Sequence, residues 1–228
     1  LEAKLLKIID ASEDRITPKC QHAGVCGGCS WQQVPYEKQL EYKRQQVEDH
    51  IRRIGKCDTL VNDTLPCEQP FYYRNKMEYS FSPRRWLSDD EIHREEFVDD
   101  SGFAAGLHAP GRFDKILNLN ECHLQDPISF RLLDFVRNYA LKHNIEAFDT
   151  FEKTGFLRHL VIRKSYHTSD LMVILVCYYE DQGIFEDLYA KIMEQFLSIT
   201  TFIVSINDQP NPTASGRYQF VLHGSGQI

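Results

Sequence analysis

Between Tyr36 and Ile54 the apolar residues Tyr36, Leu40, Val47, Ile51 and Ile54 recur at helical spacing, and Lys, Arg and Glu fill the opposite face. That period predicts an amphipathic helix, with Pro35 suited to its first position and Gly55 to its stop. Ile128–Leu141, carrying Leu132, Leu133, Val136, Tyr139 and Ala140, predicts a second helix, and Ile184–Leu197 a third. Elsewhere the period is two. Over Tyr73–Ser82, Arg74, Lys76, Glu78 and Ser80 alternate with Asn75, Met77, Tyr79 and Phe81, the pattern of a half-exposed strand. Phe103–His108 and Lys115–Leu119 read as strands separated by the turn Ala109-Pro110-Gly111-Arg112. Leu157–Tyr166 and Leu171–Tyr179 flank His167-Thr168-Ser169-Asp170, the plainest hairpin signal, and Thr201–Ile206 and Gln219–Leu222 complete the strands. Leu1–Asp10 alternates loosely ahead of Ser12-Glu13-Asp14, and Cys57–Pro70 reads as a connector. Hairpin-linked strands with intervening helices predict an α+β fold: a mainly antiparallel sheet with flanking helices, preceded by the cysteine-rich loop Pro18–Val34 and the first helix.

Composition narrows the class. The chain has 228 residues, 42% hydrophobic and 26% charged, ordinary values for a globular protein with a sizeable core. No apolar run approaches the ~18 residues of a membrane span, and the start has no secretory core or cleavage site. It has no initiator Met and opens inside a strand-like pattern, which reads as an excised piece. The net charge of −7 speaks against a nucleic-acid binder, but its distribution is uneven. Residues 1–86 hold 14 Lys/Arg against 12 Asp/Glu, and residues 87–228 hold 12 against 21. Asp89, Asp90, Glu91, Glu95, Glu96, Asp99 and Asp100 concentrate the acidity in what reads as an exposed loop, so total charge decides little about a local binding face.

The seven cysteines are Cys20, Cys26, Cys29, Cys57, Cys67, Cys122 and Cys177. Their odd number and the crowding of three within ten residues argue for a metal or redox site in a reducing compartment such as the cytoplasm. Cys20-Gln-His-Ala-Gly-Val-Cys26-Gly-Gly-Cys29 places glycines where the backbone must turn sharply and let N–H groups approach sulfur. Structural zinc favours two C-x2-C pairs, and only one is present. A 4Fe–4S cluster on three clustered cysteines and one distant cysteine fits better. The residues leave the fourth ligand open among Cys57, Cys67, Cys122 and Cys177, the last lying in an apolar run that suits a small core residue.

The string Cys20-x5-Cys26-Gly27-Gly28-Cys29-x2-Gln32-x3-Tyr36-x2-Gln39-Leu40-x2-Lys43 resembles the iron–sulfur class of RNA uridine C5-methyltransferases. Tyr73-Arg74-Asn75-Lys76, Gly106-Leu107-His108, Cys122 and Leu157-Arg158-His159-Leu160-Val161-Ile162-Arg163 follow in the family's order, so the resemblance spans nearly the whole chain. It implies that Cys20, Cys26, Cys29 and Cys122 ligate a 4Fe–4S cluster, one that an isolated piece could lose to oxidation. It also implies a division into residues 1–18, the last strand of an RNA-binding TRAM β-barrel; 19–56, the cluster loop and helix; and 57–228, a central α+β domain. The family's nucleophilic cysteine, general base and S-adenosylmethionine site belong to a further Rossmann-like domain, and none is mapped here. The piece is therefore expected to be inactive alone.

Chemistry at uridine C5 needs a thiolate adding at C6 and a base taking the C5 proton, with the target nucleotide drawn out of its stack. The expected share of this chain, acting as a monomer, is to hold structured RNA, ribosomal or transfer. Arg74, Lys76, Arg84 and Arg85 are the candidate phosphate contacts, with Tyr72, Tyr73 and Trp86 for stacking. The same cations would equally protect a solvated strand edge. Lys38, Lys43, Arg44, Arg52 and Arg53 alternate with carboxylates and read as a salt-bridged solvent face, and His22, His108, His123 and His159 as scattered surface or capping residues. Two other classes remain: a non-enzymatic zinc or iron–sulfur RNA-binding module, and an electron carrier.

Overall fold

A computed structural model describes residues 7–93, 102–211 and 213–228. The chain divides into two units: Leu1–Ala23 with Cys29–Pro70, and Gly24–Gly28 with Phe71–Ile228.

The second unit is built on a seven-stranded sheet. Its strands are β1 (Lys76–Ser82), β2 (Ala104–His108), β3 (Ile116–Asn118), β4 (Leu157–Lys164), β5 (Leu171–Cys177), β6 (Thr201–Ile206) and β7 (Tyr218–His223). Their spatial order is β3-β2-β1-β4-β5-β6-β7, and every neighbouring pair is antiparallel except β5 and β6. The parallel pair follows from its connection, since a helix separates β5 from β6 while β4 and β5 close directly as a hairpin. At that hairpin Ser169 takes φ 61°, and the Ser165 hydroxyl accepts from the N–H groups of His167 and Thr168.

The helices begin where their caps dictate. In α3 (Pro127–Lys142) Asp126 accepts the Ile128 N–H at 3.0 Å ahead of Pro127, and in α4 (Gln182–Gln195) Asp181 accepts the Ile184 N–H at 3.0 Å. Leu132, Leu133, Val136 and Ala140 of α3 and Phe185, Leu188 and Ile192 of α4 are buried with Met77, Tyr79, Phe81, Leu160, Ile162, Val173, Leu175 and Val204 of the sheet. The alternation read over β1 is this core: Met77, Tyr79 and Phe81 point inward and Lys76 and Glu78 outward, while Ser80 and Ser82 are buried on the other face. Gly224 turns at φ +77°, where a Cβ would meet the Thr200 carbonyl oxygen at 2.0 Å, so the Gly224–Gly226 turn is filled by its own chain.

The acidic stretch departs from the loop expectation at Glu91. A four-residue helix, α2 (Asp89–Ile92), stands there. The Ser88 N–H and hydroxyl donate to the Glu91 carboxylate at 2.8 and 2.9 Å, and the Glu91 N–H returns to the Ser88 hydroxyl at 3.3 Å. This reciprocal cap, with Arg85 at 2.9 Å, draws Glu91 partly out of solvent. The side chains of Asp89 and Asp90, and Glu95, Glu96, Asp99 and Asp100 entirely, lie outside the described residues.

The first unit centres on α1 (Tyr36–Asp49), which continues as a π-helical turn through His50–Ile54 and closes with the Gly55 N–H on the His50 carbonyl. Pro35 caps the helix instead of opening it. The helix is amphipathic in spacing, yet none of its residues is buried. Polar contacts hold the neighbouring arms to it: Cys67 N–H to the Tyr36 hydroxyl, the Thr64 hydroxyl to the Leu40 carbonyl, Arg44 to Asp63 and the Tyr42 hydroxyl to Asp14. Residues 7–18 hold no strand, so the strand expected over Leu1–Asp10 is not formed in its described part; residues 1–6 lie outside it. A strand needs a ladder to satisfy its backbone; among the described residues of this stretch the Arg15 N–H closes a turn on the Ser12 carbonyl and the Ile16 N–H reaches the Gln33 carbonyl. No helix among the described residues is long and apolar enough to cross a membrane.

Candidate cysteine centre and basic surface

In the second unit the Gly24–Gly28 segment is docked by its backbone. The Gly27 N–H donates to the His108 carbonyl at 2.9 Å, and a Cβ at Gly27 would stand 2.7 Å from that oxygen. A Cβ at Gly28 would meet Leu107 at 2.9 Å and the Cys26 sulfur at 3.4 Å. Gly27 is therefore required by close backbone approach, whereas at Gly28 the contact is with the movable end of the Leu107 side chain. Cys26 is buried, and its Sγ accepts the Gly28 N–H at 3.4 Å.

Cys122 packs against the same core. Phe71–Asn75 runs beside Glu121–Gln125, with the Tyr72 N–H on the His123 carbonyl and the Arg74 N–H on the Leu124 carbonyl, both at 2.8 Å. This pairing aims the Arg74 guanidinium at the Gly28 carbonyl, 3.2 Å away, and at the Met77 sulfur, 3.8 Å away. The buried Tyr79 hydroxyl, 2.9 Å from the Ser129 hydroxyl, reports what surrounds it. Burial pushes its pKa up, charge on Cys122 and more weakly on Cys26 adds to this, and Ser129 and Arg74 oppose it. Cys26, Cys122 and Arg74 thus lie within electrostatic reach of one hydroxyl.

In the first unit one amide ties the other two cysteines of the string. Gln32 accepts the Cys20 N–H at 3.1 Å and donates to the Cys29 Sγ at 3.2 Å. Gln39 donates to the Trp31 and Val34 carbonyls and shapes the loop entering α1. Each unit therefore carries two of the cysteines singled out from the sequence. Among the described residues no group of three or more His, Cys, Asp and Glu side chains is placed to hold a metal ion. Cys57 and Cys67 are exposed, and the Cys67 thiol donates to the Gln69 carbonyl. Cys177 is fully buried in β5, and burial pushes its thiol pKa far up, which suits a core residue and not a thiolate ligand.

The four candidate phosphate contacts are differently engaged. Arg84 donates from Nε and Nη2 to the single oxygen Oδ2 of Asp149, at 3.2 and 3.0 Å, and lies over the Phe151 ring. Arg85 pairs with Glu91, Arg74 faces the cysteine segment, and Lys76 stands exposed beside Glu78. Tyr73 is exposed, whereas the Tyr72 hydroxyl bonds His123 Nδ1 at 2.9 Å. The helix cations behave as a solvated face: Lys38 with Glu41, Arg44 with Asp63 and Arg53 with Asp49.

Two groupings escaped the sequence reading. The Ser80 hydroxyl stands 3.4 Å from His108 Nε2 and 3.2 Å from His159 Nδ1, and burial, with the charges of Arg158 and His108, holds His159 down at about 4. Arg158 is buried beneath the Phe148 ring and donates to the carbonyls of Asn207, Gln209 and Asn211, fixing the turn between β6 and β7. The first arises from strand register, which sets Ser80 opposite Gly106 and His159.

No family model matches the chain. Over its whole length it is 42% identical to a protein of Bacteroides thetaiotaomicron named an uncharacterized RNA methyltransferase. Similarly named proteins of Porphyromonas gingivalis and Chlorobaculum tepidum are 37% and 35% identical. The chain spans about half the length of these curated relatives, 50%, 50% and 48% respectively. Its fold is similar to the crystal structure of Pyrococcus abyssi tRNA (uracil-54, C5)-methyltransferase in complex with S-adenosyl-L-homocysteine, with a TM-score of 0.63 at 19% identity. That likeness covers 96% of this chain and 44% of the other.

Proposed function

We propose that the chain is the cluster-bearing, RNA-positioning part of an RNA uridine C5-methyltransferase of the iron–sulfur class, working in the cytoplasm on tRNA or rRNA. The observation that carries this is end-to-end similarity, up to 42% identity, to proteins named RNA methyltransferases. The fold shared with a tRNA uracil-C5 enzyme supports it. S-adenosylmethionine would supply the methyl group. No residue of this chain is assigned as nucleophile, base or S-adenosylmethionine ligand; the residues assigned act in binding and orientation.

Cys20, Cys26, Cys29 and Cys122 would hold a 4Fe–4S cluster. The donor set fits in kind: the Cys26 and Cys29 sulfurs already accept N–H groups, as cluster sulfurs do. Methyl transfer needs no electron, which gives the cluster a structural role. Exposed Lys76 and Tyr73 lead the RNA-facing set. Arg84 and Arg85 would have to exchange Asp149 and Glu91 for phosphate.

The test has two arms. The chain prepared anaerobically should bind about four irons, absorb in the visible and shift tRNA or rRNA transcripts on a gel. The complete gene product should transfer labelled methyl from S-adenosylmethionine to yield 5-methyluridine. Zinc in place of iron, with RNA binding and no methylation by the complete product, would establish a binding module instead.

A further inference from the structure

We propose that Phe113 and Phe151 form a platform on which an unpaired nucleobase of the RNA stacks; this rests on the RNA-binding reading above and adds a site to it. The two rings come from different turns of the second unit, Phe113 between β2 and β3 and Phe151 ahead of β4. Their centroids are 6.1 Å apart, and the residues are 74% and 52% exposed. Paired apolar rings held this far out of the core return nothing to the fold, which marks a contact surface. The turn that presents Phe151 is set by Asp149. Its Oδ1 accepts the N–H groups of Phe151 and Glu152 at 2.8 and 3.2 Å, and its carbonyl accepts the Lys153 N–H at 2.8 Å. The ring is therefore placed before any partner arrives.

The chemistry around the rings selects a base over an aliphatic partner. Arg84 holds its guanidinium 4.6 Å from the Phe151 centroid while Nε and Nη2 stay on Asp149 Oδ2. A flat cation thus extends the aromatic surface, and Arg84 need not leave Asp149 to take part. Aromatic rings and guanidinium planes are the surfaces on which unpaired bases stack. Charge points the same way. Arg112, Lys115 and Lys153 share these two turns with Asp114, Asp149 and Glu152. Asp114 and Asp149 are already bonded to Arg112 and Arg84, so Lys115 and Lys153 outweigh Glu152 in what the turns offer a polyanion.

The experiment measures binding of the 228-residue chain to an RNA hairpin with a uridine loop and to the blunt duplex of its stem. F113A and F151A should each weaken hairpin binding roughly tenfold, the scale of one base–aromatic stack, and leave duplex binding unchanged. The dependence of hairpin binding on salt should keep its slope, because a lost ring releases no counterion. F151W should retain the parent affinity, and the indole emission it adds should be quenched by the hairpin. Leu197→Ala, at a residue 85% exposed just past α4, should match the parent throughout. Parent affinity for the hairpin in the F113A/F151A double variant would overturn the platform and leave RNA binding standing. So would an equal loss on the duplex, or a dimer of the parent that the double variant abolishes with hairpin binding intact. A parent chain that binds neither RNA overturns both readings. Should circular dichroism show the double variant unfolded, F113L decides, and parent hairpin affinity there overturns the platform.

Discussion

The two units use opposite means to hold their shape. In the second, side chains from α3, α4 and the sheet fill a common apolar core, and the long central strands β4 and β5 are almost entirely buried. In the first, a helix with no buried residue is braced by hydroxyls, an amide and ion pairs reaching from flanking arms. Burial of apolar area is strong and undirected, whereas exposed polar contacts are individually weak because water competes for both partners. Stability measured on the whole chain should therefore report almost only the second unit, and the cysteine string joins regions of very different strength.

The sharpest way to break that comparison is Leu160→Ala in β4. Leu160 is fully buried at the centre of the sheet, and the cavity should cost about 3 kcal/mol, read as a lower urea midpoint with an unchanged slope. A loss below about 1 kcal/mol would show that this core is not what holds the unit.

Acid should weaken the second unit through His159. Its folded pKa of about 4 lies below the ordinary value of about 6.5, so the unfolded chain takes the proton first. Stability is whole above about pH 6.5 and declines as the pH falls to about 4, by roughly 2–3 kcal/mol in total. Arg158 and His108 oppose the protonated form while Glu78 favours it, and His108, also lowered by burial, adds in the same direction. Urea titrations at pH 7 and pH 5 check this, and His159→Gln should flatten the difference.

A smaller loss is expected from Gly27→Ala. The new methyl must displace the His108 carbonyl, now 2.7 Å from where it would sit, and with it the hydrogen bond that docks the segment. About 1–2 kcal/mol is the scale of one strained backbone contact and one lost hydrogen bond. Ser30→Ala, just past the string, is the control.

What could be read in advance follows from how local each signal is. The helices α3 and α4 and the β4–β5 hairpin stand where periodicity and turn residues placed them, because cap, stripe and stop are encoded within a few residues. The Ser88-Asp-Asp-Glu91 cap was equally local, but a run of like charges obscured it. The grouping of Ser80, His108 and His159 was illegible because it depends on the register of three strands far apart in the chain. Local signals also say which face of α1 is apolar but not whether anything covers it; in its own unit those residues meet extended arms and solvent. For the candidate site, the glycine spacing predicted N–H groups approaching sulfur; the Gly28 N–H does reach the Cys26 sulfur, while the Gly27 N–H goes to the His108 carbonyl instead. Arg74, which its strand pattern grouped with outward-facing cations, turns instead to Gly28 because Phe71–Asn75 pairs with Glu121–Gln125 before β1 begins.

The smallest effect belongs to α1. Val47 and Ile54, read from spacing as part of an apolar stripe, are 47% and 77% exposed. Replacing either by alanine removes little buried area, and alanine's higher helix propensity offsets part of that. The expected change is within about 0.5 kcal/mol, set against the severalfold larger loss from Leu160→Ala. The same substitutions should leave RNA gel shifts and iron content unaltered, since neither side chain belongs to the cysteine segment or the candidate basic surface. A loss above about 2 kcal/mol at Val47 would mean that this stripe is covered by apolar contacts in solution, and the contrast between a packed unit and a polar-braced one would fail.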